Sequence, residues 1–493
     1  MQEHEKKPDK KEPKKDARLL VEKYLQQHSF VESNIVSFND FIENRLQEIV
    51  NNINEEIPRE EIDLWLGKIS VGKPVIIEAD GSINRILPIE AKLRKLTYSA
   101  PIYLEVAVGN KEFTNIEIGR IPIMVKSKCC NTCGMSKKEL IDNYEDPADP
   151  GGYFIINGNA RVLVMIEDLA QNQPFMEDTS KGLSLRLFSA RGSYRIPLLV
   201  TQTTDGIMTV SFSRFRNLPA VILIKALGVT KDVDIASLMG KESDSIIVNL
   251  YEYVSIKDAN DALTAIAEKM GISDTKKEML DRVKIRLDSA LLPHLGTKPE
   301  NRKEKGVVLC KLIKHFLVAK EKKLESDKDH YSNKRVRLSG DLLSDLLRVN
   351  ITILVRDLQH NLQKVLKKKK LYSIKSLARS TLFSHRVESA IATGSWIGQR
   401  TGVTQNMDKT NSLSVLSQLQ RVVSLLPTEQ ENFKARTLHP THFGRFCPVE
   451  TPEGTSIGLR KNLSILARVS TATKMNEKEF VAALEQIGLK IFE

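Results

Sequence analysis

Cysteine is scarce in this chain of 493 residues: Cys129, Cys130, Cys133, Cys310 and Cys447 are all it has. That excludes a disulfide-dense secreted scaffold and favours a reducing, cytoplasmic setting. Long apolar runs are missing too. The best, Pro219 to Ile224, breaks at Lys225, far short of the roughly 18 residues that a membrane span needs. The N-terminus, Met1 to Asp16, is charged throughout and lacks the apolar centre of a secretion signal. No repeat period points to a solenoid or propeller. The glycine loops that cradle nucleotide phosphates, the nucleophile elbow of hydrolases and the His-Glu-x-x-His zinc motif are all absent.

What is present is a surplus of positive charge. Lys and Arg number 74 against 62 Asp and Glu, a formal net charge of +12. This balance points to a polyanionic partner, nucleic acid in preference to a membrane surface. Hydrophobic residues at 41% and charged residues at 28% are enough for packed cores, and the length suits roughly three domains.

The first sixteen residues, with six lysines, five acids and two prolines, read as a disordered leader. Helical spacing begins at Leu19 and Leu20 and continues through Tyr24, Phe38, Phe41, Ile42, Leu46 and Ile49. Short β-prone runs follow between 75 and 118, and Asn157-Gly158 predicts a tight hairpin between Tyr153–Ile156 and Val162–Val164. Three further strands are expected within 184–213, then helices over 258–270 and 276–292. A loop is expected at 294–306, where Gly296, Pro299 and Gly306 fall. From Gly340, apolar residues at Leu343, Leu347, Ile351, Leu354, Leu358, Leu362 and Leu366 predict a long helix closed by Lys367–Lys370. The segment 436–466, dense in Pro, Gly, His and charge, cannot form a core of its own and must lie against something else.

Candidate metal ligands are few. Cys130-Asn131-Thr132-Cys133, with Cys129 beside it, has the spacing of half a zinc site, but a structural zinc needs four ligands. His439, His442, Cys447 and Glu450 offer a mixed ligand set, but Pro440 opposes a helix that would align the imidazoles, and a scaffold role fits better. The acidic pairs Asp232/Asp234 and Asp327/Asp329 lack a third carboxylate for two-metal chemistry. Basic residues are more telling. Arg335, Arg337, Lys367–Lys370, Arg379, Arg386, Arg400, Arg421, Arg436, Arg445, Arg460 and Lys461 thread a part of the chain rich in Gly, Ser, Thr and Asn, as phosphate-backbone contacts require.

The string RTLHPTHFGRFCPVETPEGTSIGLRKNLSILA, Arg436 to Ala467, closely resembles the fork segment of the second-largest subunit of multisubunit DNA-directed RNA polymerases. SFNDFIE (from Ser37), LTYSAPIYLEV (Leu96), IGRIPIMVKS (Ile118), DPGGYFIINGNARVLV (Asp149), DKDHYSNKRVRLSGDLL (Asp327) and TGVTQNMDKTNSLSVLSQLQRVVSLL (Thr401) are similar to the same family in the same order. The resemblance covers about residues 20 to 470. It implies an α+β, multidomain fold: a leader (1–18), a protrusion in two segments (19–164 and 331–410), an inserted lobe (165–330), a fork (411–470) and a C-terminal helix (471–493). It also implies the N-terminal polypeptide of the archaeal form in which this subunit is divided in two.

By the same resemblance the chain is inactive alone and works within a multisubunit nucleotidyltransferase. Its expected partners are the largest subunit, the C-terminal half of the divided subunit, smaller subunits, DNA and RNA, and no membrane. The catalytic aspartates and their Mg2+ are expected in the largest subunit, so no catalytic residue, metal or cofactor is assigned to this chain. Gln405 and Arg421 match residues lining the RNA side of the RNA–DNA hybrid. Ser424 to Ala435 matches the loop meeting downstream DNA, Arg436 and Glu453 match residues facing the nucleotide-addition site, and Arg445 falls where relatives place a basic residue near RNA. Lys461 belongs to the same fork. Gln418 and Gln420 stand where relatives usually carry His and Arg, and an aromatic often stands near Ser412. The cysteines at 129–133 are also more numerous than the family usually shows. The competing reading is a non-catalytic nucleic-acid-binding protein that keeps the polymerase-subunit fold.

Overall fold

The chain mixes helices with antiparallel sheets, an α+β fold. We describe it from a computed structural model, which covers residues 17–57, 63–109, 112–179, 182–191, 194–240, 244–270, 276–367, 373, 377–396, 400–429, 431–470 and 477–488. Two compact units are present. One is built from the chain up to Ile166 together with that from Val336 onward, and the other from Glu167–Arg335. Each has its own hydrophobic core.

The first unit is organised on a three-stranded antiparallel sheet, Leu64–Val71, Ser99–Val108 and Thr114–Pro122, with Ser99–Val108 central. On that central strand Ala100, Ile102, Leu104 and Val106 are fully buried, the two-residue period of a strand with one face in the core. Helices Glu32–Asp40, Leu46–Glu56, Ser339–Lys367 and Ser380–Thr393 complete this core. The long helix follows the spacing read from sequence: Leu343, Leu347, Ile351, Leu354, Leu358 and Leu362 are buried, while Leu366 is exposed. At 29 residues it is about 43 Å long. The Asp341 carboxylate accepts the backbone N–H of Leu338 at 2.9 Å and pairs with Arg45, fixing where the helix starts. Lys368 to Lys370, expected at its end, lie outside the described residues, as does the expected leader from 1 to 16. The first helix is described over Ala17–Gln27 and the C-terminal helix over Glu477–Gln486.

The Asn-Gly hairpin forms as expected. Phe154–Ile156 pairs with Asn159–Leu163, and Ile156 faces Asn159 across a two-residue turn. Asn157 and Gly158 both have positive φ, 49° and 78°, the twist that suits a two-residue hairpin.

The second unit is a five-stranded antiparallel meander: Pro174–Thr179, Gly182–Arg191, Tyr194–Gln202, Met208–Phe212 and Phe215–Pro219 in spatial sequence. Among the described residues, six α-helices between Ala220 and Glu321 accompany it. Here the expected loop at 294–306 is corrected. Two short helical turns, Pro293–Leu295 and Pro299–Asn301, lead straight into a helix, Arg302–Glu321, which includes Gly306. Gly306 is there for close packing: a Cβ would lie 3.0 Å from Val229 and 3.4 Å from Leu227. A glycine that relieves crowding looks, in sequence, the same as one that breaks a helix.

Lys305, on that helix, is fully buried, with its Nζ donating to the Asp288 carbonyl at 2.6 Å. The Asp288 carboxylate is held by Arg302. Burial pushes the Lys305 pKa down to about 8. The unfolded chain keeps that proton to roughly pH 10.4, so between the two values the unfolded state binds more protons and stability rises with pH. Below pH 8 the buried ammonium costs about 3 kcal/mol. Lys305→Met should raise stability at pH 7 by about 1–3 kcal/mol and remove the rise between pH 8 and 10. Urea unfolding of the full chain across that range checks this, and a variant that retains the rise contradicts it.

Candidate nucleic-acid interface

The candidate residues from 405 onward belong to the first unit, and a pair of antiparallel strands within a four-stranded sheet organises most of them. Arg421–Ser424 pairs antiparallel with Arg460–Asn462, so that Arg421 faces Asn462, Val422 faces Lys461 and Val423 faces Arg460. Alternation puts Arg421, Val423, Arg460 and Asn462 on one face and Val422 and Lys461 on the other. Val422 and Lys461 are buried, and so are Val423 and Asn462 on the face of the two arginines. Arg421 and Arg460 are half-buried diagonal neighbours, and among the described residues neither guanidinium makes a hydrogen bond or ion pair. Burial, and then the charge of Arg460, hold the Arg421 pKa below its ordinary value, while Glu450 and Asp408 act weakly in the other direction.

The acid that acts most strongly on Arg421 is already engaged. Glu450 Oε1 accepts from Ser417 Oγ at 2.6 Å and from Asn462 Nδ2 at 2.9 Å. The strand pair therefore presents two partly desolvated cations side by side. Such a pair is satisfied by an anion with several acceptor oxygens, and the planar donor fork of arginine suits phosphate.

The neighbouring segments are tied to this strand pair by backbone and amide bonds. Helix Ser412–Leu419 is capped by Asn411, whose side chain accepts the N–H of Ser414 at 2.7 Å. Gln418, buried, accepts from the Asp408 N–H at 2.7 Å and donates to the Asn406 carbonyl at 2.8 Å. Its amide is thus used to hold the end of strand Thr404–Asn406. Gln405 in that strand is half-exposed and pairs across to Val162, its Nε2 making one long bond, 3.4 Å, to the Gly402 carbonyl. Gln420 offers its carbonyl to the Leu463 N–H.

Arg436 ends the short helix Phe433–Arg436 and is half-buried. Its guanidinium donates to the carbonyls of Thr455 (2.6 Å), Ile457 (3.2 Å) and Thr428 (2.9 Å). This side chain gathers three turns of the loop. Gly458 sits against it with φ +72°, and a Cβ there would lie 2.1 Å from the Arg436 carbonyl oxygen. Arg445 is exposed and donates to the Thr441 carbonyl at 2.9 Å, while its own carbonyl accepts from Ser464. Glu453 is exposed and makes no ion pair among the described residues, so no salt bridge from it fixes the loop there.

The possible metal ligands are built into the scaffold. His439 Nδ1 lies 2.7 Å from Thr441 Oγ1 and also accepts the Thr441 N–H. Buried His442 packs edge-on to Phe446, with ring centroids 5.7 Å apart. Cys130 is buried, 3.2 Å from the Tyr98 hydroxyl and 3.0 Å from Thr132 Oγ1, and Cys133 is exposed. Burial raises the Cys129 thiol pKa. Among the described residues no group of three or more His, Cys, Asp and Glu side chains could hold a metal ion. Nor is any helix among them long and apolar enough to cross a membrane.

Comparison with known proteins bears on what this surface serves. The family described as RNA polymerase beta subunit matches residues 29–385, and RNA polymerase Rpb2, domain 3, matches residues 405–469. The chain belongs to the RNA polymerase β-subunit family. Among the relatives of this family member is DNA-directed RNA polymerase subunit Rpo2N of Methanothermobacter thermautotrophicus, 38% identical over 96% of this chain and 98% of its own length. Rpo2N of Methanocaldococcus jannaschii is also 38% identical, over 96% of this chain and 99% of its own length. Subunit Rpo2 of Saccharolobus solfataricus is 39% identical over 95% of this chain, which spans only 43% of that longer protein.

Arg460 appeared in the sequence only as one more basic residue. Its pairing with Arg421 depends on a register set across 35 intervening residues, which spacing alone does not reveal.

Proposed function

We propose that this chain is the N-terminal polypeptide of a divided second-largest subunit, forming one wall of the active-centre cleft of a DNA-directed RNA polymerase. The near end-to-end match to Rpo2N chains, against 43% of the longer Rpo2, supports this extent. In this reading the protrusion is the first compact unit up to about residue 410, the lobe is the second unit, and the fork is 411–470. The reaction joins the RNA 3′ oxygen to the α-phosphorus of a nucleoside triphosphate and releases pyrophosphate. The divalent metal assisting it would stabilise the attacking and leaving oxygens and be held by the largest subunit; the residues described here do not fit it. This chain's part is electrostatic and positional, in a reducing, cytoplasmic setting.

The unsatisfied pair Arg421 and Arg460 carries the reading. We assign it to backbone phosphates of the RNA–DNA hybrid, with Gln405 and Arg445 along the same path and Lys461 supporting the strand pair from the opposite face. Arg436 is a positioning residue: it keeps the fork loop closed so that Glu453, free at the turn, faces the incoming nucleotide. Large exposed apolar side chains in the same segment, including Phe433, Leu438, Phe443 and Val449, support a surface that is covered by the C-terminal half and the largest subunit.

The test is the salt dependence of hybrid binding by the reconstituted complex. Arg421→Ala and Arg460→Ala should each lower the slope of log affinity against log salt by about 1, uniformly across sequences. An unchanged slope in both would remove the phosphate role. Binding without any RNA extension by the parent complex would instead favour a non-catalytic nucleic-acid-binding protein.

A further inference from the structure

Helix Asp244–Glu252, in the second unit, is apolar on both sides. Its inner side is accounted for: Ile246 is buried, and Leu250 and Tyr253 pack against the core. Asn249 is buried as well and acts as a pin. Its Oδ1 accepts the Met208 N–H at 2.7 Å, and its Nδ2 donates to the Gly206 carbonyl at 2.9 Å, fixing the helix to the turn before strand Met208–Phe212. The outer side carries Ile247 (62% exposed), Val248 (48%), Tyr251 (82%) and, just past the helix, Val254 (50%). Positions 247, 251 and 254 fall on one stripe, with 248 beside it. A helix with large apolar side chains on its outer as well as its inner side leaves the outer ones in water unless something packs over them. Burying an amide to hold such a helix rigidly, while its outer stripe stays open, is the arrangement of a docking face.

The rim identifies the occupant. In sequence, the stretch 231–261 carries seven Asp and Glu against three Lys, within a chain whose net charge is +12; Asp232 is engaged by Lys225, so the acids that count at the stripe are those on the helix and just past it. Asp244 and Glu252 lie on the helix itself, beside the stripe; both are exposed, and among the described residues neither is in an ion pair. Asp258 is exposed just beyond. A second copy of the chain would bring acid against acid across a two-fold contact, which is unfavourable. Nucleic acid is repelled by the same rim.

We propose that this stripe docks a basic amphipathic helix of a protein partner. The partner's apolar residues would lie over Ile247, Tyr251 and Val254, and its Lys or Arg residues would meet Asp244 and Glu252. An exposed tyrosine suits such a contact, offering large apolar area at low entropic cost and a hydroxyl for the rim.

The test uses the full chain and two fluorescent synthetic probes, a Leu/Lys amphipathic helix and its Leu/Glu counterpart, followed by anisotropy. The Leu/Lys probe should bind at least about tenfold more tightly than the Leu/Glu probe. Ile247→Glu with Tyr251→Glu should weaken it about tenfold or more. Reversing the rim with Asp244→Lys and Glu252→Lys should invert the preference. All four positions are exposed, and far-ultraviolet circular dichroism confirms that the variants fold. Equal binding of the two probes, or a preference that survives rim reversal, overturns the proposal. Self-association of the parent chain in sedimentation that the two Glu substitutions abolish would assign the face to a second copy, and overturns it too.

Discussion

Gly458→Ala should slow RNA extension by a complex containing this chain about 100-fold while leaving the chain folded. Two effects add at this position. The backbone has φ +72°, and a Cβ would meet backbone atoms of Arg436, its carbonyl oxygen at 2.1 Å and its Cα at 2.5 Å. The strained conformation alone costs about 1–2 kcal/mol. The contact cannot be relieved by a side-chain rotation, because both atoms struck are main chain. The turn must therefore move away from Arg436. That breaks the guanidinium bonds to Thr455 and Ile457 and strains the neighbouring bond from the Ser424 N–H to the Leu459 carbonyl. A loop displaced by about 1 Å at a reacting centre costs on the order of 100-fold in rate. Gly444→Ala is the matched control. Gly444 also has positive φ, 71°, but nothing lies within 4 Å of its Cβ position. Strain without displacement predicts near-normal extension there. If both variants extend normally, this loop does not position the reacting groups.

Gly340→Ala should produce the largest loss of stability in the first unit, against the usual sign. Within a helix this substitution ordinarily stabilises by roughly 0.5–1 kcal/mol. Here the long helix crosses helix Glu32–Asp40 so closely that a Cβ would lie 2.3 Å from the Ser37 carbonyl oxygen and 2.7 Å from its Oγ. The Gly340 N–H donates to that Oγ at 3.1 Å, and Ser339 Oγ donates to the Asn34 carbonyl at 2.9 Å. Separating the helices loses these buried bonds and opens the core to which Phe38 and Leu342 both belong. Overpacking of this kind costs about 3 kcal/mol. The urea midpoint of the full chain reports it, and a midpoint equal to that of the parent would mean that the two helices can part freely.

Elements with a local cause were readable in advance. Asn157-Gly158 made its hairpin because only a left-handed turn joins two strands through two residues. The leucine period from 343 to 362 made its helix because each side chain reaches the same core. The helix from Arg302 was not readable, since Gly306 and Pro299 carry the same letters whether they break a helix or let one pack closely or begin. At the interface, resemblance supplied positions and geometry supplied what the side chains do. Arg436 is occupied by three carbonyls, Lys461 is buried under the strand pair, and Gln418 holds Asn406 and Asp408 in place. Arg460 becomes visible as a partner of Arg421 only once the strand register is known. Contacts among residues far apart in the chain are set by tertiary placement, and periodicity does not encode them.

The most direct measurement is RNA extension on an RNA–DNA scaffold by a reconstituted polymerase, with this chain supplied or withheld. The account predicts nucleotide addition only when the chain is present, and a marked loss when Arg421 and Arg460 are both replaced by alanine. Extension at the same rate without the chain would contradict it.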